Sequence, residues 1–227
     1  MSDKFFSVAI DGPSGAGKSS LAKSVAERFG FIYADTGAIY RTLGLAVKRA
    51  GIGSKDAAGI SALLPSVEIE LRHDSEGRQR MMLSGEDVSD AIRTPEMSIY
   101  ASDVSAIPEV RAFLMEMQRD LARKHNLIMD GRDIGTAVLP DADLKIFLVA
   151  SSEARATRRL KQLTNQGIDT TFEAVLTDIE YRDKNDSSRA AAPLKPAEDS
   201  VHVDNTQNTF EQSRDIISSL ISERYKP

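Results

Sequence analysis

A glycine-rich segment near the start of the chain has the residue types and spacing of a phosphate-binding loop. Residues 12–19 are Gly-Pro-Ser-Gly-Ala-Gly-Lys-Ser, a full match to G-x-x-x-x-G-K-[ST] between an apolar run and a helical stretch. Glycines let backbone N–H groups converge on phosphates, Lys18 reaches the β- and γ-phosphates of a nucleotide, and the Ser19 hydroxyl faces Mg²⁺. The residues expected to bind the nucleotide phosphates are Gly12, Pro13, Ser14, Gly15, Ala16, Gly17, Lys18, Ser19 and Ser20.

Phosphate binding alone does not separate a kinase from a GTP switch, a motor or a non-enzymatic nucleotide-binding regulator. A GTP switch needs a guanine-binding Asn-Lys-x-Asp after a later strand. The nearest string, Asp-Lys-Asn-Asp at residues 183–186, lacks the first asparagine and lies in a charged helical stretch. The motor and the regulator remain open on the loop alone.

The second predicted strand leads into Asp-Thr-Gly-Ala-Ile-Tyr-Arg at residues 35–41. Thr36 is expected to cap a helix whose N-terminus lies near the phosphate loop, with Arg41 about one and a half turns along it. A helix N-terminus together with an arginine forms a second phosphate site. The alternative, a helix cap followed by a surface arginine, remains open on these residues alone.

The third predicted strand ends in Asp-Gly-Arg-Asp at residues 130–133. Ligands of open parallel sheets bind outside the carboxyl ends of the strands, so these side chains should face the phosphate loop. Asp130 is then placed to hold Mg²⁺ or its water shell, Arg132 to bind a phosphate, and Asp133 to face a hydrogen-bond donor of a ligand.

These motifs must be positioned by strands that alternate with helices, and that pattern predicts an α/β fold with a five-stranded parallel sheet flanked by helices. The predicted strands are 5–10, 31–33, 127–129, 145–149 and 201–203. Helical periodicity is present over 18–29, 36–50 and 210–221. Strict alternation at 67–71, a polar turn and apolar 81–83 predict a small antiparallel insert, and the arginine-rich helical segment 151–189 predicts a mobile flap.

Composition removes several classes of function. The 227 residues include 29 Lys+Arg and 34 Asp+Glu, a net charge of −5, which argues against a nucleic-acid-coating protein. The chain has no cysteine, which excludes disulfides, thiolate catalysis and Cys-based zinc sites. Its apolar runs are strand-sized, so we expect neither a membrane span nor a signal peptide. We therefore expect a cytoplasmic protein.

The motifs together resemble the nucleoside monophosphate kinases, and within them the bacterial cytidylate kinases, over nearly the whole chain. The segments that carry the resemblance are 10–19, 35–41, 85–89 with Ile92-Arg93, 107–111, 130–133 and 182–189. Adenylate kinases share Thr-Gly-x-x-x-Arg, but their third strand leads into Asp-Gly-Phe/Tyr-Pro-Arg. Shikimate kinases lack the antiparallel insert. A kinase for another small acceptor and a non-enzymatic regulator stay as alternatives.

The resemblance implies that ATP is the phosphate donor, CMP and also dCMP are the acceptors, and Mg²⁺ is the cofactor. It implies that Arg41, Arg132 and Arg189 hold the CMP phosphate. Ser102, Arg111 and Asp133 would contact the cytosine base, Asp186 would help hold the sugar, and Thr36 would belong to the same acceptor site. Without the resemblance, Ser102 is explained as an exposed helix residue and Arg111 as a surface charge.

The resemblance also implies a P-loop kinase fold in one domain, residues 1–227, with a helical lid. Its core would be 1–35, 107–150 and 190–227, its acceptor-binding region 36–106 with the insert at about 65–92, and its lid 151–189. The residues expected to surround the transferring phosphoryl group are Lys18, Arg155, Arg159 and Arg182. Arg155 and Arg159 are otherwise explained as one solvated helix face. We expect a monomer that acts on small molecules, with no nucleic-acid or membrane partner.

Overall fold

A five-stranded parallel sheet forms the centre of the computed structural model, which describes residues 5–226. The strands are β1 (Ser7–Asp11), β2 (Ile32–Asp35), β6 (Leu127–Gly131), β7 (Leu144–Val149) and β8 (Val201–Asp204). Their spatial order is β2-β6-β1-β7-β8, and every neighbouring pair is parallel. The predicted sheet is therefore confirmed. Because the strands are parallel, the carboxyl ends of β1, β2 and β6 meet at one edge.

Eight α-helices lie within the described residues. They are α1 (Lys18–Phe29), α2 (Thr36–Arg49), α3 (Ala57–Leu63), α4 (Pro95–Val104), α5 (Pro108–Lys124), α6 (Ser152–Asn165), α7 (Phe172–Ser187) and α8 (Phe210–Ser222). Helices α1 and α8 pack on one face of the sheet. Helix α5 and a π-helical turn, Ile134–Val138, pack on the other face. No helix among residues 5–226 is long and apolar enough to cross a membrane.

The helix that follows the phosphate loop begins and ends where the sequence predicts. Its buried face is formed by Leu21, Ala22 and Val25, which recur at helical spacing. Gly30 ends the helix with φ 67°, a left-handed conformation that glycine adopts without strain. Helix α1 therefore holds its first residue, Lys18, at the carboxyl edge of the sheet.

The insert is a three-stranded antiparallel sheet of β3 (Ile69–His73), β4 (Gln79–Leu83) and β5 (Glu86–Asp87). The first two strands were predicted, and the third is too short to give a periodic signal. Met81 and Leu83 on its inner face belong to one apolar cluster with Leu43 and Val47 of α2. The insert is thereby fixed to the helix that carries Arg41.

The segment predicted as a flap folds as a hairpin of α6 and α7. It has a small apolar cluster of its own, formed by Ala156, Leu163, Val175 and Ile179. This cluster is separate from those that hold the central sheet. The hairpin is therefore a separate packing unit beside the phosphate loop.

Candidate active site

The phosphate loop closes tightly against the sheet. Gly12 has φ 150°, and a Cβ atom there would lie 2.0 Å from the backbone oxygen of Leu148, so only glycine fits. Lys18 Nζ donates a hydrogen bond to the backbone oxygen of Pro13 at 2.8 Å, which folds the lysine over the loop. Burial, and next the charge of Arg132, lower the pKa of Lys18 to about 7. The site therefore favours a bound anion that would restore the lysine charge.

Two oxygen ligands lie together beside the loop. The Ser19 hydroxyl donates to Oδ2 of Asp130 at 2.9 Å, and the Tyr33 hydroxyl donates to Oδ1 of the same carboxylate at 2.9 Å. Burial, and next the charge of Asp35, raise the pKa of Asp130 to about 6. Hydroxyl and carboxylate oxygens are the ligands that Mg²⁺ prefers, so Ser19 and Asp130 fit a site for that cation.

Three arginines line the same cleft as the phosphate loop, and two carboxylates pair with them. Arg41 donates to Oδ2 of Asp35 at 2.8 Å. Arg132 donates to Oδ2 of Asp186 at 2.7 Å, and Arg189 pairs with the other oxygen of that carboxylate. Burial alone would raise the pKa of Asp186, but Arg132 and Arg189 bring it down to about 2. The cluster is a preformed anion site.

The sequence predicted that Thr36 caps helix α2. This prediction is wrong, because the cap is Asp35. Oδ1 of Asp35 accepts a hydrogen bond from the Ala38 N–H at 2.9 Å. The Thr36 hydroxyl instead donates to the backbone oxygen of Asp130 at 2.8 Å, which ties α2 to β6. Both residues line the cleft, and the carboxylate is the stronger acceptor at a helix N-terminus.

A buried ion pair joins Asp133, which lines the cleft, to Arg111, which does not. Arg111 and Asp133 are each 4% exposed and pair directly. Arg111 also donates to the Tyr40 hydroxyl at 3.3 Å. Ser102 is 6% exposed, and its hydroxyl donates to Oδ1 of Asp186 at 3.1 Å. The interpretation of Ser102 and Arg111 as exposed helix residues is therefore wrong.

The hairpin of α6 and α7 presents arginines to the same cleft. Arg158, Arg159 and Arg182 line it. Burial, and next the charge of Arg132, lower the pKa of Arg182 to about 10. Nε of Arg182 is buried and has no hydrogen-bond partner among the described residues. A buried donor without a partner is costly, so this guanidinium fits an incoming phosphoryl oxygen.

Arg155 does not lie with these arginines. It is 5% exposed, does not line the cleft, and donates to the backbone oxygens of Ser14 and Ala150 at 3.0 and 2.9 Å. It also pairs with Asp183 at 2.7 Å. In this conformation Arg155 therefore holds the lid to the back of the phosphate loop, whereas the sequence had grouped it with the arginines around the transferring phosphoryl group.

The cleft has a volume of about 800 Å³ and is lined both by the phosphate loop and by the cluster of Arg41, Arg132 and Arg189. The predicted site residues that do not line it are Gly12, Pro13, Ala16, Arg111 and Arg155. It also includes residues that sequence reasoning did not assign to the site, among them Tyr33, Asp35, Arg93 and Asn208. Of these, Asp35 and Arg93 lie in segments that carried the family resemblance, whereas Tyr33 and Asn208 had no sequence signal for a role in the site.

Comparison with known proteins gives matches along nearly the full length. The family model described as cytidylate kinase matches residues 8–223. A cytidylate kinase from Caldicellulosiruptor bescii is 48% identical over 209 residues, covering 92% of each chain. One from Citrifermentans bemidjiense is 47% identical over 217 residues, covering 96% of this chain and 93% of the relative.

A solved structure of an uncharacterized protein from Eubacterium ventriosum shares the fold. Its TM-score is 0.51 at 13% identity, covering 96% of this chain and 99% of the other. At this identity the likeness concerns the fold alone. The residues that the family model matches, by contrast, extend from β1 to α8, and two relatives are nearly half identical over more than nine-tenths of the chain. The chain therefore belongs to the cytidylate kinase family.

Proposed function

We propose that this cytidylate kinase transfers the γ-phosphoryl group of ATP to CMP, and also to dCMP, by an in-line step assisted by Mg²⁺. One observation carries the proposal: a single cleft joins the phosphate loop to the cluster of Arg41, Arg132 and Arg189. A phosphate donor and a phosphate acceptor can thus meet in it. Ser19 and Asp130, which fit a Mg²⁺ site, line the same cleft.

Phosphoryl transfer requires mainly positioning and neutralisation of negative charge. The phosphate loop and Lys18 bind the donor phosphates, and the three arginines bind the acceptor phosphate. Arg159 and Arg182 stabilise charge on the transferring group from the lid side. Ser19 and Asp130 would hold Mg²⁺, which would add positive charge beside the phosphates. No dedicated nucleophile is needed, because the CMP phosphate oxygen attacks.

We further propose that the buried pair selects the base. Cytosine carries an amino donor beside two acceptors, so the carboxylate of Asp133 and the hydroxyl of Ser102 suit the amino group. The guanidinium of Arg111 suits the acceptors N3 and O2. Asp186 lies between Ser102 and the arginine cluster, where the sugar joins base and phosphate. A site of this kind rejects ligands that leave its buried groups unpaired.

The division into functional regions follows from this scheme. The core, 1–35, 107–150 and 190–227, binds ATP and also contributes Arg111, Arg132 and Asp133 to the CMP site. The region 36–106, with the insert at about 65–92, contributes Arg41 and Ser102 to that site, and Asp186 and Arg189 come from the lid. The lid, 151–189, closes over both and excludes water. We further propose that the protein acts as a monomer.

A panel of acceptors tests the proposal. Release of ADP, measured by a coupled assay, should be fast with CMP and dCMP, slow with UMP and AMP, and absent with shikimate or gluconate. Preference for another acceptor would replace CMP in this scheme. Tight ATP binding without any acceptor-dependent ADP release would favour the non-enzymatic regulator.

A further inference from the structure

Gln79, the first residue of β4, makes two hydrogen bonds to the backbone at the end of β2. Its side-chain oxygen accepts a hydrogen bond from the Asp35 N–H at 2.7 Å, and its side-chain nitrogen donates to the Asp35 carbonyl oxygen at 3.2 Å. The same nitrogen donates to Sδ of Met81 at 3.2 Å. An N–H and a carbonyl on one residue fix which end of the amide faces which, so the orientation of Gln79 is defined.

This contact satisfies a free strand edge. β2 is an edge strand of the parallel sheet and pairs only with β6 among residues 5–226. At Asp35 the amide of Gln79 takes the place of the missing neighbour by bonding both backbone groups. His73 lies next to it in the pairing of β3 with β4, and its Nε2 is 3.4 Å from the Tyr33 carbonyl oxygen. The insert thus contacts the outer edge of β2.

Asp35 in turn fixes an arginine of the cleft. Its Oδ1 caps α2 through the Ala38 N–H, and its Oδ2 accepts from Nη2 of Arg41 at 2.8 Å. Both peptide groups that flank the Asp35 Cα are held by Gln79, so the direction of this carboxylate depends on that side chain. Gln79 itself does not line the cleft.

We propose that Gln79 is a positioning residue for the acceptor phosphate: through Asp35 it holds Arg41 in the orientation that binds the phosphate of CMP. This inference rests on the proposed role of Arg41. It assigns a function to the antiparallel insert, which contributes to the reaction from outside the cleft.

The insert does not need Gln79 to stay docked. Buried Met81 and Leu83 attach it to α2, and Arg49 of α2 makes two hydrogen bonds to Glu86 of β5 at 2.7 and 2.9 Å. Loss of the Gln79 amide should therefore misalign Arg41 and leave the fold intact.

The test compares Gln79→Ala and Gln79→Met with native protein, measuring kcat/KM for CMP, the Kd of ATP and the melting temperature. Methionine keeps the length and apolar volume of the side chain and removes both bonds to Asp35. We expect each variant to lose about tenfold in kcat/KM for CMP, as the loss of one to two hydrogen bonds predicts. ATP affinity and melting should stay at native values.

Two further variants isolate the route through Arg41. Arg80→Ala is the matched control, because Arg80 follows Gln79 in β4 but pairs with Asp87 inside the insert at 2.7 Å. It should leave CMP kinetics unchanged. In an Arg41→Ala background, Gln79→Ala should cost less than about twofold more, since residues that act through one another are not additive.

The outcomes separate the inference from the proposed function. If Arg41→Ala impairs CMP use while the Gln79 variants do not, or if the two losses are additive, Gln79 does not act through Arg41 and the inference is wrong. If Arg41→Ala itself leaves CMP use unchanged, the proposed role of Arg41 is wrong and the inference falls with it. Equal losses for CMP and ATP would show a general structural role.

Discussion

Replacing Asp133 with asparagine removes a negative charge from the base end of the cleft and keeps the size of the side chain. In the native protein Asp133 is buried against Arg111, and burial raises the pKa of its carboxyl group while Arg111 and Arg189 oppose that rise. Asparagine retains one oxygen for Arg111. Its amide nitrogen cannot accept a hydrogen bond from the amino group of cytosine.

The size of the effect follows from burial. A hydrogen bond to a charged group contributes about 1.5–3 kcal/mol, so kcat/KM for CMP should fall by roughly 10- to 150-fold. UMP presents a carbonyl where CMP has its amino group, and asparagine can donate to it. We therefore expect the CMP-to-UMP preference to narrow by at least about tenfold. Weakening a pair between groups each 4% exposed should also lower the free energy of unfolding, by up to ~3 kcal/mol.

The assay measures kcat/KM for CMP and UMP in both proteins at a temperature where melting curves show both to be folded. Asp141→Asn is the matched control, because it removes the same charge from an exposed position after the same strand. It should change neither kinetics nor preference. A folded Asp133→Asn enzyme whose CMP-to-UMP ratio equals that of the native protein would refute this reasoning and show that another group contacts the base.

Four further predictions concern the two phosphate sites and the lid. Lys18→Met should reduce turnover more than ~100-fold at an unchanged melting temperature, because the lysine neutralises donor phosphates. The pKa of Lys18 is about 7 in the free protein, and bound phosphates favour its charged form. Native protein at pH 8 should therefore take up a proton on binding ATP. Calorimetry in buffers of different ionisation enthalpy measures this proton uptake, and an equal uptake by Lys18→Met would assign the proton to another group. Arg132→Ala should lower kcat/KM for CMP by the equivalent of ~2–4 kcal/mol and leave the Kd of ATP unchanged. The reverse pattern would mean that the arginine cluster binds ATP and the phosphate loop binds CMP. Hydrogen exchange over 151–189 should slow most with ATP and CMP analogues together, whereas full protection in the free protein would make the lid a rigid part of the core.

Local patterns predicted the sheet and the phosphate loop. Strand-sized apolar runs and a glycine-rich loop before a helix are properties of neighbouring residues, so they are visible in one sequence. The meeting of Ser19 with Asp130 was also predictable, because the carboxyl ends of parallel strands share one edge.

Contacts between distant residues were not predictable. Arg155 and Arg159 are one helical turn apart and looked equivalent, but only packing of the lid decides that Arg155 lies under the loop. Gln79 and Asp35 are 44 residues apart, and no periodicity in either segment indicates that a side-chain amide completes the edge of β2. At α2, aspartate and threonine are both good caps, and the local backbone geometry selects Asp35.

Phosphorus NMR of the protein with ATP, CMP and MgCl₂ identifies where the transferred group goes. The CMP phosphate signal should disappear as diphosphate signals grow, with two diphosphates, CDP and ADP, formed for each CMP lost, and no diphosphate should form when CMP is omitted. ADP accompanied by inorganic phosphate, with no CDP signal, would show that the cleft hydrolyses ATP and that CMP is not its acceptor.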